Sequence, residues 1–224
     1  MAAATVWFGA FAMLSGICGQ GGLARSFAGM WGRALLRLWG VEVLVEGVPP
    51  QGPAVYAANH GSALDIPIVF GYLPVDFRVI HKRSLHYLPI LGQYLYLGGH
   101  IAVDRGNPFR ARRSLSRAAL RIRAGTSVLV FPEGTRNRRG DGAVQPFKRG
   151  SFVLAVEAGV PVVPVSLSGV KRIAPDGMLR MRPGRVVLTL HAAMSTEGLA
   201  FDDAGAFGDR VQAVVAAACR ADAA

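Results

Sequence analysis

From residue 40 onwards, short β-branched runs alternate with helix-like segments, and this alternation restricts the possible folds more than any other feature of the sequence. Runs bounded by Gly, Pro or polar residues predict seven strands, at 41–47, 53–59, 77–81, 100–104, 126–132, 160–169 and 185–192. Helices are expected between them and near the end of the chain, at about 63–73, 84–96, 109–124, 150–158 and 203–221. We therefore expect an α/β fold, with a mixed, largely parallel sheet of about seven strands covered by helices on both faces.

The first 40 residues precede this alternation and have a different pattern. Residues 1–18 are apolar and rich in small residues, and they lack the basic segment that a secretory signal needs. Residues 25–40 place apolar and aromatic side chains near helical spacing, with arginines between them. This pattern favours a helix in the lipid headgroup region, and a helix packed on the protein core is the alternative. We predict an N-terminal membrane-docking helical element at 1–40 and one α/β domain at 41–224.

The charge balance indicates an anionic partner. Lys and Arg total 25 against 14 Asp and Glu, a net charge of +11, and the excess is mostly arginine at 105–123 and 136–149. Such an excess favours phosphate-bearing substrates, acidic carrier proteins, anionic lipids or nucleic acid, although arginine-rich solvated faces are also common. Regular aromatic residues are missing from the basic stretches of the domain, so we expect no nucleic-acid partner.

Several patterns that would indicate a bound metal or cofactor are missing or incomplete. The five histidines show no metal-ligand spacing, and the two cysteines, Cys18 and Cys219, lie near opposite ends of the chain. GQGGLA at 19–24 has glycines at dinucleotide-binding spacing, but no compact strand precedes it. We expect no metal and no cofactor, and we interpret the histidines other than His60 as structural or surface residues.

Polar clusters follow three of the predicted strands, at the point where each strand ends. NHGSALD follows 53–59, DRGN follows 100–103, and PEGTR follows 126–131. In open α/β sheets the ligand usually lies at the carboxyl ends of the strands. We therefore expect the three clusters to meet at one crevice.

The first cluster contains His60 and, five positions later, Asp65. A carboxylate in the first turn of the following helix could orient the imidazole and stabilise its protonated form, which makes His60 a candidate general base. Ser62 and Asp65 also fit a helix capping box, and spacing alone does not separate the two interpretations. Ser62 lies in the string HGSAL, which does not match the G-x-S-x-G pattern of a nucleophile elbow. A base without a protein nucleophile suggests that the substrate supplies its own hydroxyl.

The other clusters carry cations suited to phosphate. Arg136 follows a strand in FPEGTR, where glycine allows close backbone approach and threonine supplies a hydroxyl, although a turn with a chance arginine would look the same. Arg105 repeats the arrangement after its own strand, and Lys82 adds a cation after 77–81.

These residues resemble a known family. Asn59-His60 to Asp65 is similar to the N-H-x-x-x-x-D motif of glycerolipid acyltransferases, and residues 131–136, FPEGTR, resemble a block of the 1-acylglycerol-3-phosphate (lysophosphatidic acid) acyltransferases. HIAVDR at 100–105 and VPVVPV at 160–165 resemble two further blocks, in the same order. Three positions depart from the usual pattern: Gly61 for glutamine, Asn137 for serine, and the small Ala102.

The resemblance implies transfer of a fatty acyl group from acyl-CoA or acyl-carrier protein to the sn-2 hydroxyl of 1-acylglycerol 3-phosphate, giving phosphatidic acid. It implies that His60 is the general base and Asp65 its orienting partner. It also implies a substrate-binding set that includes the phosphate ligands, made of Lys82, Arg105, Glu133, Gly134, Thr135 and Arg136. The strand at 160–165 would support the acyl-chain groove, and the enzyme would act on a phospholipid membrane, at the cytoplasmic face of a bacterial inner membrane.

Three other hypotheses remain open at this level. An acyltransferase could use another acceptor, such as glycerol 3-phosphate, a lyso-ornithine lipid or another lysophospholipid. A non-catalytic protein could use its arginines to hold anionic lipids, and a thioesterase could transfer the acyl group to water.

Overall fold

The computed structural model of the protein describes residues 21–89, 91–104, 106–137, 143–175 and 181–221. These described residues contain seven strands, and every predicted strand is among them. They are β1 (Val41–Glu46), β2 (Val55–Ala58), β3 (Phe77–Lys82), β4 (Ile101–Val103), β5 (Ser127–Val130), β6 (Val162–Ser168) and β7 (Gly184–Leu190).

The strands form one sheet in the order β1-β7-β6-β2-β5-β3-β4. The five strands from β6 to β4 are parallel to their neighbours, β7 is antiparallel to β6, and β1 is parallel to β7. The mixed, largely parallel sheet is therefore confirmed. Its parallel part puts the carboxyl ends of β6, β2, β5, β3 and β4 at one edge, which we call the carboxyl edge.

Seven α-helices and two 3₁₀ turns connect the strands in the part of the chain that the structure describes. The helices are α1 (Gly21–Leu38), α2 (Asp65–Tyr72), α3 (Leu91–Leu97), α4 (Pro108–Arg123), α5 (Gly150–Ala158), α6 (Val170–Ile173) and α7 (Ala204–Ala221), and the 3₁₀ turns are Arg83–Tyr87 and Phe201–Asp203.

Two local differences from the sequence prediction have physical causes. The helix expected at 84–96 is divided into a 3₁₀ turn and the shorter α3, because Pro89 lacks an amide hydrogen and keeps Leu88 extended. Helix α6 was not predicted, since its single turn is too short to show a helical period.

The helices cover both faces of the sheet, and the strands alternate between two cores. On β2, Tyr56 and Ala58 pack in one core with α1 and α2, whereas Val55 and Ala57 pack in the other with α4, α5 and α7. All four positions of β2 are fully buried. Both-sided burial explains why this strand reads as a continuous apolar run.

Helix α1 packs on the core, as the alternative interpretation of residues 25–40 expected. Leu35 and Leu36 are buried, and two of the arginines bind other parts of the protein. Arg25 pairs with Asp76 at 2.6 Å, and Arg33 donates to the Gly71 carbonyl at 2.8 Å. Membrane docking by this helix stays a prediction, and residues 1–18 lie outside the described residues.

Among the described helices, none combines the length and the apolar character that crossing a membrane requires.

The contact between α1 and α2 depends on Gly32. A Cβ at this position would lie 2.5 Å from the Pro67 carbonyl oxygen and 3.0 Å from the Gly71 amide nitrogen. Backbone atoms cannot rotate away as a flexible side chain would. The two helices can therefore approach this closely only because residue 32 has no side chain.

We predict that Gly32→Ala lowers the free energy of unfolding by about 1–3 kcal/mol, because the helices must separate to admit the methyl group. Chemical denaturation of both proteins measures the change. Gly22→Ala is the matched control, since a Cβ there would meet only the Arg25 side chain at 3.8 Å. Equal stability of the two variants would show that the helices separate at no cost.

Candidate active site

The first and third polar clusters meet at the carboxyl edge, because β2 and β5 are neighbours in the sheet. The His60 amide donates to Glu133 Oε1 at 2.7 Å, and the His60 carbonyl accepts from the Asn137 amide at 2.7 Å. Both backbone polar groups of His60 are thus bound by residues 131–137, which we call the FPEGTRN segment. The predicted convergence of these two clusters is confirmed.

His60 and Asp65 form a close pair. Nδ1 of His60 lies 2.7 Å from Asp65 Oδ2, with 16% of the His60 side chain and 1% of the Asp65 side chain exposed. Since a carboxylate accepts, this contact assigns the proton to Nδ1 and leaves Nε2 as the basic nitrogen. The Phe131 ring stacks on the imidazole at a centroid distance of 4.2 Å, which further fixes the ring plane.

Asp65 also binds the loop that precedes α2. Its Oδ2 accepts from the Ser62 amide at 2.9 Å, while the Ser62 hydroxyl accepts from the Leu64 amide at 3.2 Å. Helix α2 begins at Asp65 itself, and its N-cap, Leu64, makes no side-chain cap hydrogen bond, so the expected capping box with Ser62 as N-cap does not form. One buried carboxylate oxygen binds both the Ser62 amide and the imidazole, so Asp65 orders the loop before α2 as well as the histidine.

Glu133 holds the His60 backbone in place. Its side chain is buried, and its oxygens accept from the amides of His60 and, at 3.2 Å, Gln145. Burial raises the pKa of this carboxyl, and the two amide hydrogen bonds oppose the shift only in part. Because both oxygens already bind backbone amides, Glu133 has a positioning role here, and its substrate contact stays a prediction.

The remaining predicted binding residues are placed as follows. Gly134 makes the turn of the FPEGTRN segment at φ +73°, a conformation that favours glycine. Thr135 and Arg136 follow it and are exposed, and Lys82 is exposed at the end of β3, on the same edge. Arg105 lies outside the described residues, so the position of the second cluster relative to His60 stays a prediction.

Three further side chains at this edge were assigned no role from the sequence, although Asn59 belongs to the N-H-x-x-x-x-D motif. Asn59 binds the Leu167 backbone twice, from Nδ2 at 3.1 Å and to Oδ1 at 2.8 Å, and thereby ties the His60 loop to β6. Lys148 crosses Gly134, with Nζ 2.8 Å from where a Cβ would lie. Lys171 of α6 reaches the Asn137 carbonyl. The position of Lys171 shortly after the end of β6 was the sequence signal that could have identified it.

An apolar cavity of about 280 Å³ adjoins the FPEGTRN segment. Its lining includes Ile80, Val103, Leu115, Phe131 and Leu154. The strand at 160–165, expected to support an acyl groove, does not line this cavity. Residues 162–168 are all buried in the sheet, and their support of an acyl-chain groove stays a prediction.

Two of the other histidines have structural roles. His100 Nδ1 accepts from the Val79 amide at 3.0 Å, and burial lowers its pKa to about 3, so the ring is neutral. His191 Nε2 lies 3.0 Å from the Ser166 hydroxyl. Among the described residues, no group of three His, Cys, Asp or Glu side chains has the arrangement of a metal site.

The chain matches the protein-family model described as "Acyltransferase" over residues 41–168. Its relatives include a 1-acyl-sn-glycerol-3-phosphate acyltransferase of Chlamydomonas reinhardtii, 39% identical over 65% of this chain and 43% of that protein. The human 1-acyl-sn-glycerol-3-phosphate acyltransferase alpha is 37% identical over 78% of this chain and 62% of its own. For the Limnanthes alba enzyme of the same name the identity is 31%, over 80% and 64%. The chain thus spans about two-fifths to two-thirds of the length of these relatives.

A solved structure is also similar. The crystal structure of the 1-acyl-sn-glycerophosphate (LPA) acyltransferase PlsC from Thermotoga maritima matches with a TM-score of 0.73 and 28% sequence identity. The match covers 97% of this chain and 93% of that one, so the likeness extends over the whole sheet and its helices.

We predict that Glu133→Gln changes the pH dependence of stability. The raised pKa means that folded Glu133 keeps its proton at pH values where the unfolded chain has lost it, so its contribution to the free energy of unfolding falls as pH rises above the ordinary value of 4.5. Glutamine does not titrate. The wild-type free energy of unfolding should therefore decrease relative to that of the variant as pH rises.

Denaturant unfolding of both proteins between about pH 4 and 8 measures this difference. The part of the difference in free energy of unfolding that is the same at every pH reports the altered hydrogen bonds to the His60 and Gln145 amides. The part that changes with pH reports the raised pKa, and its absence would contradict that pKa.

Proposed function

This chain belongs to the acyltransferase family that contains the 1-acyl-sn-glycerol-3-phosphate acyltransferases, and from that premise we propose that it acylates the sn-2 hydroxyl of 1-acylglycerol 3-phosphate. The product is phosphatidic acid. The donor is an acyl thioester, acyl-CoA or acyl-carrier protein, and the chemistry needs no metal and no redox cofactor.

The observation that carries this proposal is the His60–Asp65 pair. An imidazole with Nδ1 bound to a buried carboxylate at 2.7 Å, and Nε2 left basic, is suited to remove a proton from a hydroxyl. The backbone hydrogen bonds to Glu133 and Asn137 restrict movement of this base. Preorganisation of this kind avoids reorganising the site during the reaction.

In the proposed mechanism, His60 Nε2 accepts the proton of the acceptor hydroxyl as its oxygen attacks the thioester carbonyl carbon. A tetrahedral intermediate forms, and Asp65 stabilises the imidazolium. The intermediate collapses with cleavage of the C–S bond. The imidazolium returns its proton to the leaving thiolate, so the products are an ester and a free thiol.

The acceptor's phosphate provides the second part of the proposal. Arg136 lies on the segment that binds His60, so a phosphate held by its guanidinium would stay close to the base. Lys82 is a further cation on the same edge, and Arg105 belongs to the proposed set by resemblance. The apolar cavity beside Phe131 is suited to an alkyl chain.

We further propose that the lipid enters from a membrane surface beside Lys82. The segment after β3 exposes four large apolar side chains: Tyr87 at 80%, Tyr96 at 73%, Leu88 at 46% and Leu91 at 41%. Exposed aromatic and aliphatic side chains beside basic residues are typical of surfaces that enter the headgroup region. The cytoplasmic face of a bacterial inner membrane is the proposed location.

We predict that His60→Ala lowers the turnover number by about 10²–10⁴-fold, because the base is lost while both substrates still bind. The measurement is acyl transfer in liposomes, with labelled acyl-CoA and acyl-carrier protein and a panel of acceptors. His191→Ala is the matched control, because His191 follows β7 at the opposite edge of the sheet. Unchanged turnover in His60→Ala would exclude His60 as the base.

The acceptor panel separates the competing functions. Product from 1-acylglycerol 3-phosphate alone supports the proposal. Product from glycerol 3-phosphate, a lyso-ornithine lipid or lysophosphatidylcholine would keep the mechanism and replace the acceptor. Release of free fatty acid without an acceptor would identify a thioesterase, and lipid binding without any product would favour a binding protein.

We predict that Arg136→Ala raises the KM for the phosphate-bearing acceptor about tenfold or more, since a charge-assisted contact is lost. Arg117→Ala, on the exposed face of α4, is the control. Steady-state kinetics with each substrate varied in turn gives both KM values. An increase in the donor KM alone would assign Arg136 to the donor instead.

A further inference from the structure

Two of the positions that depart from the family pattern, Gly61 and Asn137, are contacted by the same side chain. Lys171 Nζ donates to the Asn137 carbonyl at 2.8 Å. Its Cε and Cγ lie 3.6 and 4.0 Å from the position that a Cβ on Gly61 would occupy. Lys171 therefore extends across the residue that follows the candidate base.

The position of Lys171 follows from the sheet order. Strand β6 lies beside β2 on the side opposite β5, and α6 begins directly after its carboxyl end. Gly169, at φ +81°, is the N-cap of α6, so this helix begins at the carboxyl edge. Lys171 thus reaches from the β6 side, over the His60 loop, to the FPEGTRN segment on the β5 side.

The charge of Lys171 has no counter-ion in the described part of the chain. Its side chain is half-buried, and no carboxylate among the described residues lies within ion-pair distance. A carbonyl uses one of the three ammonium donors and does not neutralise the charge. A partly desolvated cation beside a reactive centre is best stabilised by an anion that binds there.

We propose that Lys171 is a further cationic ligand of the acceptor's phosphate, beside Arg136, and a determinant of headgroup specificity. The inference rests on the proposed function, which supplies the phosphate. Asn137 directly follows Arg136, so the ammonium at its carbonyl adjoins the residue already proposed for phosphate binding. A phosphomonoester carries a charge of about −1.5 to −2 at neutral pH, so the guanidinium of Arg136 alone does not neutralise it.

Gly61 leaves space for the Lys171 side chain. The Cβ position is at ordinary contact distance from the Lys171 stem, so an alanine fits. A longer side chain such as glutamine would occupy the space along which the stem lies. Glycine at 61 and lysine at 171 are therefore coupled.

The test compares Lys171→Met, which keeps an unbranched stem and removes the charge, with Lys171→Arg and with Arg172→Met, an exposed cation on the same helix. We expect Lys171→Met to raise the KM for 1-acylglycerol 3-phosphate about tenfold or more, with kcat and the donor KM within about twofold. Lys171→Arg should retain most of the affinity, and Arg172→Met should behave as wild type. Gly61→Gln should raise the same KM, and the double variant should lose less than the product of the two effects.

Equilibrium titration with a water-soluble short-chain 1-acylglycerol 3-phosphate gives a readout that does not need turnover. The same loss of affinity is expected for Lys171→Met. The proposal would be overturned by equal binding of the variant and the wild type, or by a fall in kcat with unchanged acceptor KM. Lys171 would then have only a structural role, as a contact between two loops. A rise in the KM for acyl-CoA alone would assign the cation to a donor phosphate.

Failure of the proposed function is separable from these results. If wild-type protein acylates no lysophospholipid, the function falls together with this inference. If it does so and Lys171→Met is unaffected, the inference alone is overturned. Thermal unfolding of each variant distinguishes loss of binding from loss of fold.

Discussion

The two backbone hydrogen bonds of His60 are the contacts on which the site depends. In a loop residue at the end of a strand, the backbone amide and carbonyl would normally form hydrogen bonds with water. Here the amide is bound by a buried carboxylate and the carbonyl by the Asn137 amide, both from the FPEGTRN segment. These bonds exist only because β2 and β5 are parallel neighbours and end together. The sheet topology thus fixes the backbone of His60, the proposed base, and Asp65 and Phe131 fix its ring.

The carboxyl edge also carries exposed cations beside two buried carboxylates. Asp65 and Glu133 are buried there and bound by donors, whereas Arg136 and Lys82 are exposed. The carboxylates therefore serve the histidine and its loop, and the cations are available to a ligand. The proposed reaction uses this division directly, because a phosphate must approach the base without meeting an exposed carboxylate.

The fold was predictable from the sequence because its central strands are buried on both faces. Strands such as β2 and β5 contain short apolar runs, and the polar residues that follow them mark the carboxyl edge. The pairing of His60 with Asp65 was predictable for a different reason, because both residues lie within one strand–helix connection. The contacts of Glu133 and Lys171 were not predictable. A carboxylate after a strand has the same local pattern whether it faces a ligand or a backbone amide, and the reach of Lys171 depends on the order of β6, β2 and β5, which no local pattern fixes.

The central claim is that the acceptor's own hydroxyl attacks the thioester while His60 removes its proton, without an acylated protein. Initial-rate kinetics of the wild-type enzyme, with donor and acceptor both varied, tests it most directly. Direct transfer requires both substrates on the enzyme at once, so double-reciprocal plots should give intersecting lines. Parallel lines, together with an acyl adduct in the intact mass of protein exposed to donor alone, would contradict the account, because they report a covalent enzyme intermediate.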